Sequence, residues 1–93
     1  MEEDLRIFSR KNTEFHALIM APNTNIIDDW RQRVKKSLPD LQEQIEICSF
    51  AYMMRNYQKY AQKKYNYIVV DDERVIIRTK LEKPSKIKGL ALI

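Results

Sequence analysis

Apolar residues fall into three short runs separated by two stretches of helical spacing. The first run, residues 14–21 (EFHALIMA), is stopped by Pro22 and has the length of a strand buried on both faces. Ile26, Ile27, Trp30 and Val34 then recur at the interval of one helix face, which predicts a helix over 25–37 ended by Pro39. Thr24 or Asn25 would cap it, Asp28 and Asp29 would sit in its first turn, and Lys35 and Lys36 would load its C-terminal end. The second run, residues 44–50 (QIEICSF), predicts a strand, and residues 52–64 a helix buried through Met53, Tyr57, Tyr60 and Ala61. The third run gives a strand over 66–71 that ends abruptly in Asp71, Asp72 and Glu73. Ahead of all this, Leu5 and Phe8 share one side of a short helix over 2–10, with acids at its start and bases at its end.

One long helix over 41–65 is the competing pattern. Placed about 100° apart, Leu41, Ile45, Cys48 and Tyr52 line one side. Phe50, Met54, Tyr57 and Ala61 lie on nearly the opposite side, while Arg55, Lys59 and Lys63 take over the first. Such a helix would reverse its buried face midway, and a break accounts for the pattern better. With a long helix, the β-branched residues 75–79 (VIIRT) would pair with the 67–70 strand around Asp71–Arg74, giving an α+β chain with a C-terminal β-hairpin. With the break, strands alternate with helices, which predicts an α/β fold: three-layer βαβαβ with a mostly parallel sheet in one small domain over residues 1–93. Its strand ends would gather Ala21–Thr24, Cys48–Phe50 and Asp71–Glu73 along one edge, where ligands of parallel sheets bind.

Charge and composition narrow the chemistry. The net charge is +4, but residues 1–46 carry 7 bases and 9 acids (−2) and residues 47–93 carry 10 bases and 4 acids (+6). The C-terminal half, including the basic and apolar segment 83–93, therefore suits a polyanion partner. At 44% hydrophobic and 32% charged residues the chain has a globular balance. No apolar run reaches membrane-crossing length, so no membrane partner is expected, and an acidic N-terminus with one cysteine, Cys48, fits a cytoplasmic protein. The single histidine, His16, reads as a core residue, and no Ser-His-Asp or Cys-His set can be assigned. Gly89 is the only glycine, so the chain has no glycine-rich loop to cradle phosphates.

The order LIMAPNTNIIDDW, KKSLPD, IEICSF, YNYIVVDDE resembles the first motor domain of superfamily-two helicases, and most of all that of SWI/SNF-type helicase-like ATPases. That family has a strand ending in a Pro-containing loop, then a helix with a Trp, as Trp30 is here. A strand ending in a Thr/Ser-Ser-Tyr-like triplet follows, similar to Cys48-Ser49-Phe50, and then a strand ending in Asp-Glu. The likeness spans about residues 13–73, and residues 85–92 (SKIKGLAL) look like the family's following Ser-Lys helix. Three departures stand out. The Gly-Lys-Thr loop is missing; the Asp-Glu-x-His motif reads Asp71-Asp72-Glu73-Arg74; and VIIRT stands where the family has a loop.

The resemblance implies a RecA-like fragment or descendant of an ATP-dependent, DNA-translocating motor. Asp71 and Asp72 match its hydrolysis motif, with Asp71 on magnesium only when nucleotide and the missing parts are present. ATP and magnesium are thus implied for a complete motor, and no cofactor or catalysis for this chain alone. Asn23, Thr24 and Ser49 match loops that touch the nucleic-acid backbone. Arg55, Lys59, Lys63 and Lys64 could add attraction for DNA or RNA. A parallel sheet without its phosphate-loop strand would expose edges, inviting a homodimer, the remaining motor domain or another protein. The alternative is a small basic, non-enzymatic module that binds nucleic acid or protein.

Overall fold

The computed structural model describes residues 2–12, 14–72 and 74–87. Its elements run α1 (Glu2–Lys11), β1 (Ala17–Ala21), α2 (Thr24–Ser37), a 3₁₀ segment (Pro39–Gln44), β2 (Ile45–Ser49), α3 (Phe50–Arg55), α4 (Tyr57–Ala61), β3 (Lys64–Asp71) and β4 (Ile76–Lys86). The sheet order is β2-β1-β3-β4, with β1 parallel to both β2 and β3 and β4 antiparallel to β3. The chain is therefore α/β with a mostly parallel, mixed sheet. The unbroken helix over 41–65 does not form, because β2 occupies its middle, paired in register with β1 from Ala17↔Ile45 to Ala21↔Ser49. The hairpin that accompanied that alternative does form, from β3 and β4, so the two patterns coexist in one sheet.

Period-two alternation explains the layers. Ala17, Ile19 and Ala21 of β1 share one core with Leu5 of α1 and Ile27, Trp30 and Val34 of α2. Leu18 and Met20 face the other core, with Met53 of α3 and Tyr60 of α4. β1 is buried along its whole length because helices cover both its faces. The chain passes from β1 out to β2 and then back past β1 to β3. Connections of like handedness that run in opposite directions along a sheet must pass on opposite faces, which is where α2 and the α3–α4 pair lie.

Several boundaries differ from expectation for identifiable reasons. The cap of α2 is Asn23, whose Oδ1 accepts from Ile26 N–H at 3.1 Å; Thr24 and Asn25 lie inside the helix, and Asp28 and Asp29 fall in its second turn. The 52–64 helix is two short helices parted at Asn56, whose backbone leaves the helical region (φ −116°, ψ 32°) while its Nδ2 donates to the Tyr52 carbonyl at 2.9 Å. Met53 and Tyr60 are buried as the predicted helix face requires, but Tyr57 is left exposed, contrary to it. Ser85 and Lys86 belong to β4, paired with Tyr65 and Lys64, and not to a helix; Ile87 follows the strand and is buried, and residues 88–92 of that predicted helix lie outside the described residues. His16 lies just before β1 and is only partly buried.

Asn66 locks the start of the β1–β3 pairing. Its N–H donates to the His16 carbonyl at 3.0 Å and its Oδ1 accepts from His16 N–H at 2.9 Å. The β3–β4 register slips between Tyr65 and Tyr67. This bulge sends Tyr65 into the α3–α4 core and Tyr67 into the α1–α2 core, although residues two apart in a regular strand share a face. No helix among the described residues is long and apolar enough to cross a membrane.

Candidate functional site

The strand order reverses between β1 and β3, and the crevice beyond their C-terminal ends is where open parallel sheets receive ligands. Asp71 closes β3 there, half-buried, and its Oδ2 accepts a hydrogen bond from Trp30 Nε1–H at 2.7 Å. Trp30 is itself fully buried, and the Arg33 guanidinium lies 4.3 Å from its ring centre. Asp72 is exposed. It shapes the turn to β4, its N–H donating to the Val75 carbonyl at 2.9 Å and its Oδ1 accepting from Arg74 N–H at 3.4 Å. Glu73 lies outside the described residues.

These acids fit one corner of a magnesium site. Among the described residues no group of three His, Cys, Asp or Glu is placed to hold a metal. One Asp71 oxygen remains beside the one that Trp30 engages, so a hard cation would need phosphate and water oxygens for the rest of its octahedron.

A cleft of about 470 Å³ runs along β2 from Glu46 to Ser49, with Thr24, Ile27 and Arg31 of α2 on one side and Tyr52 and Tyr60 on the other. Thr24 and Ser49 line it together, so two of the three loop residues singled out in the sequence meet at one place; Asn23 adjoins Thr24 as the helix cap. Ser49 is also a cap, its Oγ accepting from Tyr52 N–H at 3.0 Å. Arg31 and Tyr52 line the same cleft and were not singled out from the sequence. Their signal was positional: Arg31 is one turn beyond Ile27 on α2, and Tyr52 is three residues beyond the Ser49 cap.

The four cations assigned to polyanion binding are scattered. Arg55 and Lys59 are exposed on α3 and α4. Lys63 and Lys64 sit at the start of β3, at the opposite end of the sheet from Asp71. Lys63 is engaged by Glu46, which also receives the Tyr65 hydroxyl and faces His16 Nε2 at 3.2 Å. His16 Nδ1 lies 2.9 Å from the Lys64 carbonyl, so both ring nitrogens face oxygen atoms of the protein itself. Burial works against ionised Glu46, but the hydrogen bonds from Lys63 and Tyr65 prevail and lower its pKa. Burial raises the Cys48 thiol, which leaves it an unreactive core residue.

No family model, curated protein or solved structure matches the chain.

Proposed function

We propose that the chain is a nucleic-acid-backbone-binding module built like the core of a RecA-like helicase motor, without catalysis of its own. The observation that carries this is the cleft along β2 that Thr24, Ser49, Arg31 and Tyr52 share. Hydroxyls and a guanidinium suit phosphate oxygens, and an aromatic ring beside them suits an unstacked base, which is the donor set for single strands. The one carboxylate on the cleft, Glu46, is offset by Lys63 and so repels a phosphate less. Arg55 and Lys59 add longer-range attraction. The order β2-β1-β3 with an acid at the switch point, and the resemblance of Asn23, Thr24 and Ser49 to backbone-touching loops, support the motor-like part of the reading.

The test is fluorescence anisotropy with a labelled single-stranded oligonucleotide and its duplex across a salt series. Affinity for the single strand should fall steadily with salt, with a slope equivalent to about two to four phosphates neutralised. Affinity indifferent to salt, or no binding at low salt, would remove the proposal.

A further inference from the structure

We propose that the outer edge of β2 is a docking strip for an acidic, extended segment of another polypeptide, which joins the sheet as a fifth strand. β2 pairs with β1 on one side, and among the described residues no strand pairs with the other side. A free edge presents main-chain N–H and C=O groups that an incoming strand satisfies. Two clefts run beside this edge, of about 300 and 470 Å³, and both are lined by Ile47 and Arg31. Ile45, Ile47 and Val34 give the smaller cleft an apolar floor, and Arg31 and Lys35 give it a cationic rim with no carboxylate. Lys35 has no acidic partner among the described residues, and Arg31 has only Asp28, at 3.9 Å on the same exposed helix turn. A fifth strand turns every second residue toward α2. An occupant with Asp or Glu at those positions would meet the Arg31–Lys35 rim while its apolar residues face the opposite side of the sheet.

Charge also favours such a segment over a second copy of this chain. The sheet's other edge strand, β4, carries Arg78, Lys80, Lys83 and Lys86 against the single acid Glu82. Asp4 engages Arg78 and Lys80, but pairing β2 of one copy with β4 of the next would still bring Lys83 and Lys86 toward the Arg31–Lys35 rim. Pairing β2 with β2 would bring two Arg31–Lys35 rims together. Like charges brought together oppose such contacts.

The experiment uses the intact chain without nucleic acid, so its outcome is separate from that of the oligonucleotide test. The probe is a fluorescein-labelled peptide, DVEVDVE, blocked at both ends. Controls are KVKVKVK and a form of the acidic peptide N-methylated at alternate amides on one edge, made in both registers. The acidic peptide should bind at least about tenfold more tightly than KVKVKVK and than the more weakly bound methylated register. Lys35→Glu with Gln42→Glu, both exposed and both outside the Thr24–Ser49 cleft, should reverse the preference between the acidic and basic peptides. If both methylated forms bind as well as the parent, the attraction is charge alone and the strand-addition proposal falls. It falls equally if nothing saturates below about 1 mM, or if sedimentation shows a dimer that Ile47→Arg converts to a monomer.

Discussion

Trp30 Nε1–H donates to Asp71 Oδ2 at 2.7 Å, across 41 residues of sequence. A fully buried indole on α2 thus holds the carboxylate that closes β3, and the bond is charge-assisted in a half-buried setting. Helix and strand end are fixed together at the crevice by this pair. Trp30→Phe keeps most of the ring packing but removes the donor, and should destabilise the chain by about 2–4 kcal/mol in urea unfolding. Asp71→Asn retains an acceptor and should cost about 1 kcal/mol. In a double-mutant cycle the two should couple by about 1–2 kcal/mol; simple additivity would mean that the contact contributes nothing to stability.

The same pairing bears on magnesium and ATP. With one Asp71 oxygen engaged and no Gly-Lys-Thr loop in the chain, magnesium alone has too few ligands to bind usefully. Millimolar magnesium should leave the unfolding midpoint where it is, since only a ligand that prefers the folded state shifts it. ATP turnover by the purified chain should equal that of Asp71→Ala. A rise of several degrees in Tm that Asp71→Asn abolishes, or turnover lost in Asp71→Ala, would overturn this account.

The parallel core was legible in the sequence because its signals are local and strong. Pro22 and Pro39 bracket α2, and the reversal of apolar side between residues 41 and 65 exposes β2 between two helical stretches. The features that were hidden depend on tertiary contact. Asn56 looks like any polar helix position until its non-helical backbone and its side-chain bond to the Tyr52 carbonyl are seen. Glu46 lies within a predicted strand with nothing to name its partners, yet it gathers Lys63 and Tyr65 from the start of β3 and His16 from just before β1. Trp30 was placed in the core by its spacing, but its hydrogen-bond partner was not readable, because indole direction depends on the packing of α2 over β1. At the site, Asn23, Thr24 and Ser49 could be located from strand ends. Lys63 and Lys64 precede the predicted 66–71 strand and so already belonged to the end of the sheet away from Asp71, but the capture of Lys63 by Glu46 could not be read.

Stability should narrow from both ends of the pH scale. Asp4 is held below its ordinary 3.8 chiefly by the Lys80 hydrogen bond, at 2.8 Å, and then by the Tyr67 hydroxyl. Glu46 is held below its ordinary 4.5 because the bonds from Lys63 and Tyr65 outweigh its burial. Both contributions are complete above those ordinary values and are lost as pH falls through the lower folded values. Burial raises Tyr60, Tyr65 and Tyr67 above their ordinary 10.0, with Glu46 and Asp4 adding to it for Tyr65 and Tyr67. Their contributions are intact below pH 10.0 and are lost as pH rises through the higher folded values. Urea midpoints measured from pH 2 to 11 should therefore fall on both limbs. Glu46→Gln should flatten the acid limb, and Tyr65→Phe the alkaline one. An acid limb unchanged by both Glu46→Gln and Asp4→Asn would mean that neither carboxylate carries it.

Binding at the crevice can be separated from folding because two of its residues are helix caps. Asn23 and Ser49 each accept a main-chain N–H, at 3.1 and 3.0 Å. Replacing either with Ala removes the cap and should cost about 1 kcal/mol, so lost binding in such variants would be ambiguous. Aspartate caps as well as asparagine or serine, and it sets a negative charge where a phosphate would lie. Asn23→Asp and Ser49→Asp should thus unfold at nearly the parent temperature while weakening single-stranded DNA by about tenfold each at low salt. Asp29→Asn removes an exposed acid outside the Thr24–Ser49 cleft, and it should change affinity by less than about twofold. If Asp29→Asn moved affinity as much as the two cap variants, binding would follow net charge and not this cleft, and the proposed interface would have to be sought elsewhere on the surface.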